Sequence, residues 1–183
     1  MTKELIKTES KVNIYKIKDS PKLRELNGLL RSNYHKSIKR CILEKVKELA
    51  YFKSERKNVI CDEGIERILQ GVAGDFTLVA DLMVNNCALG TTAGHTKTSS
   101  QLNAETYRKN ISSCSFSGRV LYTTSYYLPT DCSGNFREEG IFIDGIVATA
   151  NSGYAFSLVD LDATEGDKTI NEALLVERVI TFR

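Results

Sequence analysis

There is no tryptophan in this chain of 183 residues, and it has only two prolines and two histidines. The five cysteines, Cys41, Cys61, Cys87, Cys114 and Cys132, stand 20, 26, 27 and 18 residues apart, so no pair has the close spacing of a zinc site. Their odd number, without a secretion-type leader, points to reduced thiols that fill space or sit on the surface. The first residues, MTKELIKTESK, lack the apolar stretch of a signal peptide. Nowhere does an uninterrupted apolar run approach the roughly 18 residues of a membrane span. These absences predict a soluble product made in the cytoplasm, with no membrane partner, no metal and no cofactor.

What is present suits a folded domain: 42% hydrophobic and 26% charged residues, with a net charge of +2. That small total hides an asymmetry. Residues 1–60 hold 16 Lys or Arg against 7 Asp or Glu, a balance of +9, and the remainder holds 9 against 16, a balance of −7. A basic first third can meet nucleic acid or an acidic protein surface. A solvated helix face explains it better, because only Tyr15, Tyr34, Tyr51 and Phe52 interleave with the charges.

The pattern divides the chain into residues 1–57, a basic arm and helix, and residues 58–183, a short helix followed by strands. KVNIYKIK alternates like an edge strand, and its lysines would blunt an edge. In SIKRCILEKVKELAYF, Ile38, Ile42, Val46 and Leu49 recur at helical spacing, flanked by Leu43 and Ala50. CDEGIERILQGVAG reads as a second helix, capped by Asp62, with Ile65, Ile68, Leu69 and Val72 on one face and Gly71 and Gly74 closing it. From about residue 80 the reading is β: LMVNNCALG, then ETYRKNISSCSF and RVLYTTSYYL around a Ser117-Gly118 turn. Val120, Tyr122, Thr124, Tyr126 and Leu128 share a face, as do Tyr154, Phe156 and Leu158, and as do Leu174, Val176, Arg178, Ile180 and Phe182. The predicted class is α+β, with N-terminal helices packed on a C-terminal antiparallel β-sandwich.

Catalytic chemistry is thin. His95 lies among Gly, Thr and Ser with no third group to orient it against a thiol. GTTAGHTKTSS places Lys97 and Thr98 like a phosphate loop, but Gly94-x-x-Lys97 breaks the required spacing. Asp160, Asp162, Glu165 and Asp167 lack the alternation and central glycine of a calcium loop.

One stretch poses a sharper question. FREEGIF puts Arg137, Glu138 and Glu139 into an apolar segment between strands. Adjacent carboxylates on a strand face opposite ways and cannot act on one bond. The expected answer is cross-strand pairing: Arg137 with Glu105, and Arg108 with Glu138 or Glu139. Strand alternation also predicts that Phe136 shares a face with Glu138.

The ordered blocks Ala88–Thr92, then Leu102, Glu105, Tyr107 and Arg108, then Phe136, Arg137, Glu138, Gly140, Ile141 and Phe142 resemble the N-terminal mounting domain of tail-collar and tail-fibre proteins of tailed bacteriophages. The likeness covers residues 58–183. ALGTT lacks the family pattern's second glycine, and Ala93-Gly94-His95 stands where a proline is frequent. No repetitive shaft follows. The resemblance implies a virion structural protein, made in the host cytoplasm, that is not an enzyme. It would dock tail, baseplate, fibre or neck proteins as a homo-oligomer. Apart from the resemblance, the basic charge and the strand-like KVNIYKIK put Lys11, Lys16 and Lys18 on an assembly arm that can add to a neighbour's sheet edge. A carbohydrate- or ligand-binding sandwich with Tyr122, Tyr126 and Tyr127 as a sugar platform is the alternative, a head–tail neck protein a second, and nucleic acid a lesser partner.

Overall fold

The computed structural model of the chain describes residues 8–73 and 83–183. The chain runs β1 (Thr8–Lys18), α1 (Pro21–Arg31), α2 (Lys36–Glu48), β2 (Phe52–Arg56), β3 (Val59–Ile60), α3 (Asp62–Ala73), β4 (Val84–Gly90), β5 (Glu105–Asn110) and β6 (Ser113–Ser117). There follow β7 (Val120–Tyr127), β8 (Gly134–Asn135), β9 (Glu138–Ile143), β10 (Tyr154–Asp160), α4 (Ala163–Gly166), β11 (Asp167–Lys168) and β12 (Glu172–Phe182). Gly74 and Leu82, which the sequence reading assigned to a helix end and a strand, lie outside the described residues, as does residue stretch 1–7 of the basic arm.

Two five-stranded antiparallel sheets form the body, in the orders β2-β1-β12-β7-β6 and β3-β10-β9-β4-β5, with β11 and β8 as a small third ladder. The α+β sandwich is therefore the fold. Between the sheets lie Val12, Ile14, Leu89, Tyr127, Ile141, Ile143, Phe156, Leu174, Val176 and Ile180, all buried. Alternation along each strand sends the other residues outward. On the outer face of the first sheet, Tyr15, Ile17, Tyr126, Ala173 and Leu175 pack under Leu23 and Leu26 of α1 and Ile42, Leu43 and Val46 of α2. On the outer face of the second, Ala88, Phe142, Ala155 and Leu158 are covered by Cys61 and Leu102.

The helices follow from local chemistry. Ser20 caps α1 by accepting from Leu23 N at 3.1 Å, and Pro21 fits the first turn, where a missing N–H costs nothing. His35 caps α2 through Nδ1, which accepts from Ser37 N. Of the expected α2 stripe, Ile42, Leu43 and Val46 are buried while Ile38 is exposed. In α3, Ile65 and Ile68 pack on the inter-sheet core, Leu69 is exposed, and Gly71 lies inside the helix instead of ending it.

Several strand readings need correction. KVNIYKIK is an internal strand: β1 pairs with β12 from Thr8↔Phe182 to Lys18↔Glu172, and with β2 on its other side. Its six residues Val12 to Ile17 are all buried because both faces are covered, one by the second sheet and one by helices. The boundary at 57/58 would cut one sheet in two, so residues 8–57 belong to the sandwich. ETYRKNISSCSF is two strands, not one: β5 ends the second sheet and β6 ends the first, the chain crossing over at Ile111–Ser112. The following turn is Gly118-Arg119, one residue later than expected, with Ser117 paired to Val120 and Gly118 at a φ of +58°. A bulge between Ala155 and Ser157 breaks the alternation of β10, so Phe156 enters the inter-sheet core and Leu158 faces outward.

Candidate functional site

The three sequence blocks meet on adjacent strands. Ala88 of β4 lies opposite Arg108 of β5 on one side and Gly140 of β9 on the other, and Gly90 lies opposite Glu105 and Glu138. A bulge between Leu89 and Gly90 skips Thr106, and that extra residue brings Glu105 and Arg108 to one face. There Arg108 donates from Nε to Glu105 Oε1 at 2.8 Å and from Nη2 to Oε2 at 2.6 Å, a bidentate pair with both side chains 2% exposed. The guanidinium lies over the Phe142 ring, 4.2 Å from its centroid, and Nη1 donates to Ser152 O at 3.0 Å. Glu105 Oε2 also accepts from Asn151 N at 3.0 Å. Tyr107 turns the other way, into the inter-sheet core, edge-on to Tyr127 at 6.2 Å.

Glu138 and Glu139 do face opposite sides of β9, and both are fully buried. On the outer face, Glu138 accepts from Asn103 N at 2.8 Å and Ala104 N at 2.7 Å, with His95 Nε2 standing 2.7 Å from Oε2. Burial pushes this carboxyl up, but the His95 contact and the two amides outweigh it and hold the acid below its ordinary value. The carboxylate thus plugs the loop of residues 91–104, whose ends join through Thr91 N to Ala104 O at 3.0 Å. Gly90 is glycine for this reason: a Cβ there would fall 2.1 Å from Glu138 Oε1 and 2.5 Å from Ala104 O. At Gly140 a Cβ would fall 2.5 Å from Leu158 Cδ2 and 3.2 Å from Phe142 Cε2, so these buried side chains would have to shift to admit one.

On the inner face, Glu139 meets Arg178 of β12 in an ion pair that bridges the two sheets, with neither side chain exposed. Tyr127 OH donates to Glu139 Oε1 at 3.2 Å, and Arg178 Nε donates to Ser157 Oγ at 3.1 Å.

Both expected pairings are therefore different. Arg137 precedes β9 and pairs with Asp167 at 2.7 Å, not with Glu105. Arg108 finds a carboxylate on its own strand, not Glu138 or Glu139. Phe136 enters the inter-sheet core, on the side of Glu139 instead of Glu138. Arg178 was visible in the sequence as the one charge in an apolar alternation, and its burial is what that pattern signalled. Its partner sits in the other sheet, beyond the reach of reasoning about neighbouring strands.

The supposed arm lysines have separate roles. Lys11 pairs with Glu55 on the surface, Lys18 lies over the Tyr51 ring, and Lys16 is buried, donating to Asp167 O at 2.6 Å and Thr164 O at 3.2 Å. The sugar platform does not exist: Tyr126 is buried with its OH donating to Asn27 Oδ1 of α1 at 2.7 Å, Tyr127 is in the core, and Tyr122 lies under Arg40. Among the described residues no group of three or more His, Cys, Asp or Glu is placed to hold a metal ion. The acidic loop has partners of its own: Asp162 and Glu165 form a capping box on α4, Glu165 also binds Arg56, and Asp160 accepts from Gly94 N. Burial raises the Cys61 thiol to about 12 and the Cys87 and Cys132 thiols to about 11, which keeps them protonated and poor nucleophiles at neutral pH. Among the described residues no helix is long and apolar enough to cross a membrane.

No protein-family model matches the chain, and neither a curated protein nor a solved structure matches it.

Proposed function

We propose that this protein is a structural component of a tailed-phage virion, an adaptor that docks tail, baseplate, fibre or neck proteins through repeated contacts between copies. The observation that carries the reading is the convergence of all three motif blocks on neighbouring strands β5, β4 and β9. Their charges have internal partners there: Glu105 with Arg108, Glu138 with backbone amides and His95, Glu139 with Arg178. Such an arrangement serves to fix the loop of residues 91–104 and hold a rigid face, which is what a docking part requires. The basic strand of residues 11–18 is engaged in its own sheet, so contacts between copies fall to other surfaces.

Two measurements test this together. Sedimentation velocity on the purified protein should give a homo-oligomer, and peptide mass spectrometry should find the chain in phage particles purified away from host debris. A monomer that is missing from such particles would overturn the reading.

A further inference from the structure

Strand β6 is the outermost strand of the first sheet and pairs with β7 alone among the described residues. Edge strands are commonly kept single by a lysine, a proline, an inward charge or a bulge. Ser-Cys-Ser-Phe-Ser, residues 113–117, has none of these, and Phe116 is 82% exposed. Alongside it opens a cavity of about 770 Å³ whose apolar lining includes Ile68, Ile111, Val120, Leu121, Phe156 and Phe182. Lys36, Lys39 and Arg119 stand at the same cavity, and among the described residues none of the three is in an ion pair. Lys36 and Lys39 come from α2, which packs against the outer face of this sheet, whereas the apolar lining includes the inter-sheet side.

We propose that this groove binds an extended segment of a partner protein in which apolar residues alternate with carboxylates, added as a further strand along β6. A strand sends alternate side chains to opposite faces. One row would therefore enter the apolar cavity while the acidic row meets the lysines of α2. The N–H and C=O groups of β6 that face away from β7, without a strand partner among the described residues, supply the ladder, and Phe116 supplies an aromatic anchor of the kind that dominates interface energetics. A strand edge with no partner among the described residues favours a peptide over a fatty acid, which would use the cavity and the cations but leave the ladder unmade. Only the identity of the partner as another virion protein rests on the function proposed above.

The test uses the full chain and a fluorescein-labelled short peptide of alternating valine and glutamate, read by fluorescence anisotropy. Controls are a valine–lysine alternation, a peptide of the same valines and glutamates in two blocks, and laurate. Saturable binding of the alternating acidic peptide is expected, weakened about tenfold or more by Lys36→Glu with Lys39→Glu, and also by Phe116→Asp. Melting temperatures report whether each variant remains folded, and the exposed Phe116 offers a readout should the double variant not fold. Absence of binding, equal binding of the lysine or block peptide, or affinity unchanged in the folded variants overturns the proposal. Displacement by laurate, or self-association that shuts the peptide out, overturns it in favour of a lipid or a second copy. Peptide binding by a protein missing from particles would leave this surface standing and remove the virion reading.

Discussion

On the outer face of β9, the Glu138 carboxylate is held by two backbone amides and an imidazole, under a loop that it closes. One residue on, across the same strand, Glu139 faces a guanidinium from the opposite sheet in a core of apolar side chains. The first arrangement is local, drawing its partners from residues 95–104. The second joins β9 to β12 across the sandwich and depends on the two sheets being assembled. A carboxylate satisfied by amides needs no counter-charge to be stable, whereas a carboxylate in an apolar interior does. The two neighbours therefore have opposite sensitivities: one to loop geometry, the other to the charge of a single distant side chain.

Breaking the inner pair should have the largest effect. Glu139→Gln leaves the Arg178 guanidinium buried without compensation, at a cost of about 3–5 kcal/mol in denaturant unfolding. Replacing both together, Glu139→Leu with Arg178→Met, should recover most of that loss, since an apolar pair of similar size fits a dry interior. A double variant as unstable as the single one would show that the pair is needed for more than charge balance.

The outer site sharpens the contrast through pH. Because the folded-state pKa of Glu138 lies below its ordinary value of 4.5, its contribution is fully present above that value and is lost as pH falls through the lower folded-state value. Glu138→Gln should cost about 1–3 kcal/mol at neutral pH. The variant should also lose less stability than the parent as the pH is lowered from 5 to below 4, measured by urea unfolding at each pH. Parallel curves would mean that the loop, not the charge, dominates.

The smallest effect belongs to the third charge of the stretch. Arg137 and Asp167 are 30% and 47% exposed, so Arg137→Gln should cost under about 1 kcal/mol, and less still in high salt. A thermal midpoint shift as large as that of Glu138→Gln would contradict this ranking.

Much of the architecture was legible because its signals are one-dimensional. The stripes of α2 and α3 and the alternation of β7 and β12 announce helices and strands, although β7 and β12 prove to be covered on both faces, by the second sheet and by α1 and α2. Helix α1 was missed: PKLRELNGLLR is short, and buried Asn27 sits on its apolar side to receive Tyr126. The division of ETYRKNISSCSF was hidden because β5 and β6 share a strand pattern and differ only in the sheet they join. The partners of Glu139 and His95 could not be read at all. One is set by which sheets face each other, the other by how a loop of small polar residues folds back over Glu138.

The pairing of β1 with β12 has a consequence for synthesis. Thr8 meets Phe182 and Lys18 meets Glu172, so the ribosome must add roughly 150 residues before the first strand finds this second neighbour. At about 5–20 residues per second that delay is on the order of ten to thirty seconds. Throughout it, a segment destined to be covered on both faces stays open in a crowded cell. Loop closure over such a span is intrinsically slow, and the nascent chain is then a target for chaperone holding, with β2 the only strand of its own sheet that can pair with it before β12 is made.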